Sequence, residues 1–111
     1  MTESFTSTRE VILRTEQWAD ALKFYGSVLG LPVAYKAATM VGFETGAFRL
    51  YVEQGKPHAP VFEFLVRDVQ AEKARLVAAG CVVVEEDPAV PRCYLRDPFG
   101  MVFNLGQAAT I

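Results

Sequence analysis

Seven residues that could contact a small molecule, five of them with polar side chains, lie at alternate positions of predicted strands. Strand residues alternate between the two faces of a sheet, so positions two apart share a face. One face therefore carries carboxylates, an arginine, a tyrosine and an amide among aliphatic residues: Glu10, Ile12, Arg49, Tyr51, Val61, Glu63 and Asn104. Glutamates attract a cationic or hydrogen-bond-donating ligand, and a tyrosine ring stacks on a planar group. The pattern predicts a partly apolar pocket with a few polar groups.

The same face has other interpretations. An antiparallel sheet commonly has one solvated face, but Leu65 and Val102 make this one too apolar for full exposure to water. A dimer interface would also cover it, and the pocket and the interface are compatible. Ion pairs with arginines of neighbouring strands explain Glu10 and Glu63 equally well.

The elements that position these residues occur twice, in the order β-α-β-β-β. In the first half, Thr15 is a suitable N-cap, and Gly30 followed by Pro32 ends the helix. In the second half, Asp68 is the N-cap and Gly80 ends the helix. The predicted strands are 9–14, 33–36, 41–44 and 47–53, then 61–66, 81–85, 92–96 and 101–105; the helices are 15–29 and 69–79.

Two apolar stripes and one turn complete the predicted fold. Trp18 belongs to the apolar stripe of the first helix and is expected in the core. Val69, Leu76 and Val77 form the stripe of the second helix. Asp97-Pro98-Phe99-Gly100 predicts a tight hairpin capped by the aspartate side chain. The turn-rich segment 54–60 predicts a linker between module one, about 9–53, and module two, about 61–106.

Composition narrows the class of protein. With 111 residues, 51% of them hydrophobic and 22% charged, the chain has the size and composition of one globular domain of two small halves. The net charge of −2, with no basic stripe, argues against nucleic acid, and no apolar run approaches a membrane span. The polar N-terminus lacks a signal peptide, which predicts a loosely docked leader and a cytoplasmic protein with Cys81 and Cys93 as buried free thiols.

The layout resembles the vicinal oxygen chelate superfamily, which includes glyoxalase I, extradiol dioxygenases, fosfomycin-resistance enzymes and bleomycin-resistance binding proteins. The resemblance spans roughly residues 9–106. Its carriers are Ala21-Leu22-Lys23-Phe24-Tyr25 through Leu29-Gly30-Leu31, Val66-Arg67-Asp68-Val69 through Ala78-Ala79-Gly80, and Arg96-Asp97-Pro98-Phe99-Gly100. It implies an α+β fold of two βαβββ modules forming a cup-shaped mixed sheet with the helices on the outer face, and a homodimer. The modules could pair within one chain or exchange between two.

The resemblance also implies where a metal would bind. Enzymes of the superfamily hold a divalent metal with His, Glu or Gln at one inward position on each of four strands. The matching positions here are Glu10, Tyr51, Val61 and Asn104. Only Glu10 is a good ligand for a divalent metal. A register shifted by two would offer Glu53 or Glu63 with His58 nearby, although His58 is expected to be a solvated loop residue.

The sequence therefore predicts a metal-free small-molecule binding protein that sequesters its ligand in the cleft of the sheet, with no cofactor. The alternative is a divalent-metal-dependent lyase, isomerase or dioxygenase of the same superfamily, and a third possibility is a structural or regulatory dimer. Catalytic residues are not identified. Fold alone does not decide among these functions.

Overall fold

The structure is a computed structural model in which residues 5–108 are described. It confirms the α+β class and the repeated βαβββ order. The elements are β1 Thr6–Thr15, α1 Trp18–Lys23, a π-helical turn Phe24–Val28, β2 Val33–Lys36, β3 Met40–Glu44, β4 Arg49–Gln54, β5 His58–Val66, α2 Val69–Ala78, β6 Val82–Asp87, β7 Arg92–Arg96 and β8 Val102–Gln107.

The chain divides into two compact units. The first unit is Arg9–Val61, and the second contains residues 5–8 and 62–108. Strands of the first unit lie in the order β2-β3-β4-β1, in which β1 and β4 are parallel and the other pairs antiparallel. Strands of the second lie in the order β5-β8-β7-β6, in which β5 and β8 are the parallel pair. The two halves therefore repeat the same mixed sheet.

The core of the first unit lies between its sheet and α1. Its buried residues are Val11, Val41, Phe43, Leu50 and Val52. The Trp18 ring packs against this core, and Trp18 Nε1 donates a hydrogen bond of 3.2 Å to the Val52 carbonyl oxygen. The predictions that Trp18 belongs to the core and that the alternate residues of β1 and β4 face the helix are confirmed.

The first helix differs from its prediction in its start and its geometry. Thr15 does not cap it, because Thr15 is still paired in β1 and its Oγ1 accepts a hydrogen bond from Gln17 N at 3.0 Å. From Phe24 the helix widens into a π-turn, closed by a 2.9 Å hydrogen bond from Leu29 N to the Phe24 carbonyl. Such turns occur mostly as single insertions in helices. Gly30 then ends the segment with a φ of 71°.

The second unit has its core between α2 and its sheet. The buried residues are Val66, Cys81, Cys93, Leu95, Phe103 and Leu105. Asp68 caps α2 as predicted, with its Oδ1 accepting from Ala71 N at 3.0 Å. Val69 and Leu76 pack on the core, but Val77 is 45% exposed and was wrongly assigned to the apolar side. Glu72, paired with Arg75 at 2.7 Å, is buried on this helix.

The predicted hairpin and the two free thiols are confirmed. Asp97 Oδ1 accepts hydrogen bonds from Phe99 N at 2.9 Å and Met101 N at 3.0 Å, and Gly100 has a φ of 103°. Cys81 and Cys93 are buried and unpaired with each other.

The predicted leader and the predicted linker both differ from the structure. Of the predicted leader 1–8, residues 1–4 lie outside the described part, whereas Thr6–Thr8 belong to β1 and Phe5 packs against Phe64. Strand β5 begins at His58, inside the segment predicted as a linker. No helix within residues 5–108 is both long and apolar enough to cross a membrane.

Candidate functional site

The first unit presents a polar face on the side of its sheet opposite α1. Strand pairing aligns two rows of residues across it. One row pairs Ile12 with Tyr51, Tyr51 with Gly42, and Gly42 with Tyr35; the neighbouring row pairs Glu10 with Arg49 and Arg49 with Glu44. We call this surface the tyrosine face. It brings together four of the residues predicted to bind a ligand: Glu10, Ile12, Arg49 and Tyr51.

The ring of Tyr51 lies over Gly42. An ideal Cβ built on Gly42 would lie 2.9 Å from Tyr51 Cε1, closer than real Cβ contacts, and 3.2 Å from Tyr35 Cβ, which is also tight. A glycine inside a strand often marks such a close approach. Tyr35 meets Tyr51 edge to face, with ring centroids 5.8 Å apart and an interplanar angle of 62°. Gly42 thus creates the space in which the two tyrosine rings are held.

The Tyr51 hydroxyl connects two charged residues. It donates a 3.1 Å hydrogen bond to Glu10 Oε1. A hydrogen bond between the Arg49 side chain and Tyr51 raises the pKa of the Arg49 guanidinium, and the nearby Glu44 carboxylate raises it further. The Tyr51 ring therefore packs on the backbone of Gly42, and its hydroxyl is held by the Glu10 carboxylate and the Arg49 guanidinium.

Glu44 anchors the arginines at the edge of this face. Its carboxylate lies 2.5 Å from Arg9 Nη2 and 3.6 Å from Arg49 Nη2. A hydrogen bond from the Gly46 amide, followed by the Arg9 side chain, lowers the pKa of the Glu44 carboxyl. Arg49 Nε is buried and has no hydrogen-bond partner in the described part of the chain. Such a donor costs about 1–3 kcal/mol unless a ligand or water accepts its hydrogen bond.

The second unit carries a comparable polar row. Glu63 pairs with Asn104, and Asn104 pairs with Tyr94. Asn104 Nδ2 donates to Glu63 Oε2 at 2.9 Å, while Asn104 Oδ1 accepts from the backbone N of Cys93 at 2.8 Å. The Arg92 guanidinium lies 5.1 Å from the centroid of the Tyr94 ring. Asn104 is thus held by hydrogen bonds within its own unit.

The residues present do not fit a divalent metal. Of the four expected positions, Val61 has no donor atom, Asn104 is bonded within its unit, and the Glu10 carboxylate accepts from Tyr51. In the shifted register, Glu53 forms an ion pair with Arg14 at 2.9 Å. Within residues 5–108 no group of three or more His, Cys, Asp or Glu side chains is placed to hold a metal ion. A zinc site needs at least three such ligands from the protein.

His58 is not the solvated loop residue that the sequence suggested. It is the first residue of β5, is half-buried, and its Nδ1 donates a 2.8 Å hydrogen bond to the Ala59 carbonyl oxygen. The sequence did not predict a strand at this position because Gly55, Pro57 and Pro60 surround His58, and glycine and proline usually indicate a loop.

Sequence reasoning missed three members of the tyrosine face: Tyr35, Gly42 and Glu44. Two of them carried a usable signal. Tyr35 lies in a strand whose bounds were predicted correctly, and Gly42 is a lone glycine in a predicted strand. The assignments of Val61, Glu63 and Asn104 as ligand contacts stay predictions.

Comparisons with known proteins agree with this architecture. The family model of the glyoxalase-like domain matches residues 10–106. An extradiol ring-cleaving dioxygenase from Brevibacterium fuscum superposes with a TM-score of 0.65 at 21% identity, covering 97% of this chain and 34% of the dioxygenase. A glyoxalase/bleomycin resistance protein/dioxygenase superfamily member from Vibrio splendidus 12B01 gives 0.64 at 16% identity, covering 95% and 100%. A hypothetical protein from Bacillus halodurans C-125 gives 0.63 at 11%, covering 100% and 98%.

The structural matches and the family model support different conclusions. The chain spans about a third of the dioxygenase, and at these identities the structural matches show the fold alone. A search of curated proteins found no match. The family model, in contrast, covers nearly the whole chain, and the superfamily of the structural matches is the one that the sequence motifs indicated. The chain therefore belongs to the glyoxalase-like domain family, within the vicinal oxygen chelate superfamily.

Proposed function

We propose that this protein binds a small molecule on the tyrosine face without a bound metal and sequesters it without chemistry. The observation that carries the proposal is the Tyr51 side chain, which is held over Gly42 and bonded through its hydroxyl to Glu10. A binding site built this way needs no reorganisation, and preorganised side chains lower the entropic cost of binding.

The chemistry of the face indicates a planar ligand that is cationic or donates hydrogen bonds. Tyrosine rings favour flat apolar groups and cations. Tyr35 is 46% exposed, so part of its ring is available for contact. Glu10 provides a carboxylate, and Arg49 provides a guanidinium that orients an acceptor on the same ligand. Ile12 supplies apolar area next to Tyr51.

A thermal-shift screen of planar cationic compounds tests this proposal, because a ligand that binds only the native state raises its stability. Affinities of the hits are then measured by calorimetry for the wild type and for Glu10→Gln and Tyr51→Leu. We expect both substitutions to weaken binding, by about tenfold for loss of a preorganised aromatic contact.

Glu16→Gln is the matched control for Glu10→Gln. It removes the same charge from an exposed residue outside the tyrosine face and should leave affinity unchanged. If every hit binds Glu10→Gln and Tyr51→Leu as tightly as the wild type, the binding proposal is wrong. If the screen gives no hit, the structural or regulatory role becomes the better explanation.

The alternative enzyme function, a metal-dependent lyase, isomerase or dioxygenase, rests on similarity of fold. The metal ligands of such an enzyme would have to be Glu10, Glu53, Glu63 and His58, which form other contacts described above. Metal bound stoichiometrically by the purified protein would favour this alternative over the binding proposal.

We also propose a cytoplasmic homodimer. The resemblance implies the dimer, and the two buried free thiols, Cys81 and Cys93, suit a reducing compartment. Sedimentation velocity at micromolar concentration should give about twice the monomer mass. A single species at the monomer mass would contradict the dimer, and recovery of the protein in an exported fraction would contradict the cytoplasmic assignment.

A further inference from the structure

A recess lies in the first unit, where α1 meets the end of β1. It is a groove of about 560 Å³, which is within the size range of small-molecule sites. It is lined by residues of β1, of α1 with its π-turn, and by Pro57 and His58 at the start of β5. Its apolar lining consists of Leu13, Ala21, Phe24, Tyr25 and Pro57. The groove shares no lining residue with the tyrosine face, so it is a separate site.

The π-turn determines how the aromatic residues enter this groove. Phe24 begins the turn and is 47% exposed, whereas Tyr25 next to it packs on the core of the unit. The two rings meet edge to face, with centroids 5.4 Å apart and an interplanar angle of 81°. The Phe24 ring is thus supported by Tyr25 and still offers apolar surface to a ligand.

Two charged residues line the groove, and only one of them forms an ion pair. Arg14 lines it but forms an ion pair with Glu53, in side chains that are 10% and 18% exposed. Asp20 also lines it and is exposed, and its carboxylate forms no hydrogen bond or ion pair within residues 5–108. Residues four apart on a helix share a face, so Asp20 and Phe24 both project toward the groove that they line.

From this juxtaposition we propose that the groove binds an organic monocation with an apolar body. Its ammonium group pairs with Asp20, and its body lies across Phe24, Ala21 and Pro57. The carboxylate supplies charge complementarity, and the exposed phenylalanine supplies apolar contact and an attractive ring face for the cation. This site does not depend on ligand binding at the tyrosine face.

Three probes of similar size separate the contribution of charge from that of apolar contact. Phenethylammonium, 2-phenylethanol and 3-phenylpropionate are each titrated into ¹⁵N-labelled protein at neutral pH, and amide shifts are followed. We expect phenethylammonium to bind most tightly and phenylpropionate least. The largest shifts should fall on Leu13, Ala21, Phe24 and His58.

Substitutions identify the contacts. Asp20→Asn should weaken phenethylammonium by about threefold, as expected for an exposed ion pair, and should leave phenylethanol unchanged. Phe24→Ala should weaken both probes by a similar factor. Glu16→Gln, with the same change of charge, and Phe99→Ala, which removes an aromatic ring that is 94% exposed elsewhere, are the controls and should bind as the wild type.

Equal affinities for the three probes, or unchanged binding of phenethylammonium by Asp20→Asn, would overturn the proposal. So would the absence of saturable shifts at the groove. Shifts confined to Tyr35, Gly42 and Tyr51 would also overturn it, while supporting a site on the tyrosine face instead.

Discussion

Substitution of Gly42 by alanine tests the geometry of the tyrosine face. The new Cβ would lie 2.9 Å from Tyr51 Cε1 and 3.1 Å from Tyr51 Cδ1, so the ring has to move. The ring is not free to do so, because its hydroxyl is bonded to Glu10 at 3.1 Å. We therefore expect Gly42→Ala to destabilise the protein and to loosen the Tyr51 hydroxyl from its carboxylate partner.

The magnitude follows from two opposing effects. Overpacking of this kind costs about 1–3 kcal/mol. Replacing a strand glycine by alanine gains about 0.5–1 kcal/mol from the unfolded chain when the backbone conformation suits alanine. The φ of Gly42 is not positive, so this gain applies. The difference is a net loss in the free energy of unfolding of about 0–2.5 kcal/mol, and the restraint on the Tyr51 ring favours the upper half of that range.

Urea unfolding followed by the fluorescence of Trp18, the single tryptophan, measures this loss. A double-mutant cycle with Tyr51→Ala isolates its cause. With the ring removed, Gly42→Ala should be neutral or slightly stabilising. An equal loss in both backgrounds, or a stabilised Gly42→Ala single variant, would refute the reasoning.

Three further predictions concern other residues. Asp68→Ala, which removes the N-cap of α2, should cost about 1 kcal/mol in urea unfolding, and Asp68→Asn much less; equal losses would contradict the capping role. Asn104→Leu leaves the buried Cys93 amide without its acceptor and should cost about 1–3 kcal/mol; a stability like that of the wild type would show that Asn104 is dispensable for folding. Burial, assisted by Asp97 at Cys81 and by Glu86 at Cys93, raises the pKa of both thiols above the ordinary value of 9.0. Folding therefore favours the protonated thiols, and their contribution to stability is complete below pH 9.0 and decreases as the pH rises further. Disulfide-exchange reagents should modify them only upon unfolding, and rapid modification of the native protein would contradict this.

Local chemistry made much of the fold predictable. Asp68, Asp97, Gly80 and Gly30 act over a few residues, so their caps and turns could be recognised without knowledge of the packing. Strand alternation was equally local, and it correctly placed Val11, Leu50 and Val52 on the helix side. The class and order of elements followed from these signals.

The errors arose where packing overrides local preference. Thr15 has the properties of an N-cap, but its pairing with Gln54 keeps it in β1, and the helix begins three residues later. The π-turn at Phe24 places Gly26 against Phe43, whose Cε1 would lie 3.4 Å from a Cβ on that glycine. Such contacts join residues far apart in sequence and leave no periodic signal.

The candidate site was predictable in its face but not in its contacts. The alternation of strand residues between faces correctly placed Glu10 and Tyr51 on one surface. The strand register, however, pairs Glu10 with Arg49 and Tyr51 with Ile12. The hydrogen bond between Glu10 and Tyr51 is therefore diagonal, and only the three-dimensional arrangement reveals it. The role of Gly42 likewise depends on a side chain from the neighbouring strand.

Elemental analysis of protein purified without chelator and without an affinity tag decides between a metal-free binding site and a metal site. The metal-free proposal requires less than about a tenth of an equivalent of zinc, nickel, manganese or iron per chain, since the described residues do not form a set of three ligands. About one equivalent per chain would contradict it. Glu10, Glu53, Glu63 and His58 would then be the ligands to substitute first, and the enzyme function would replace the binding function.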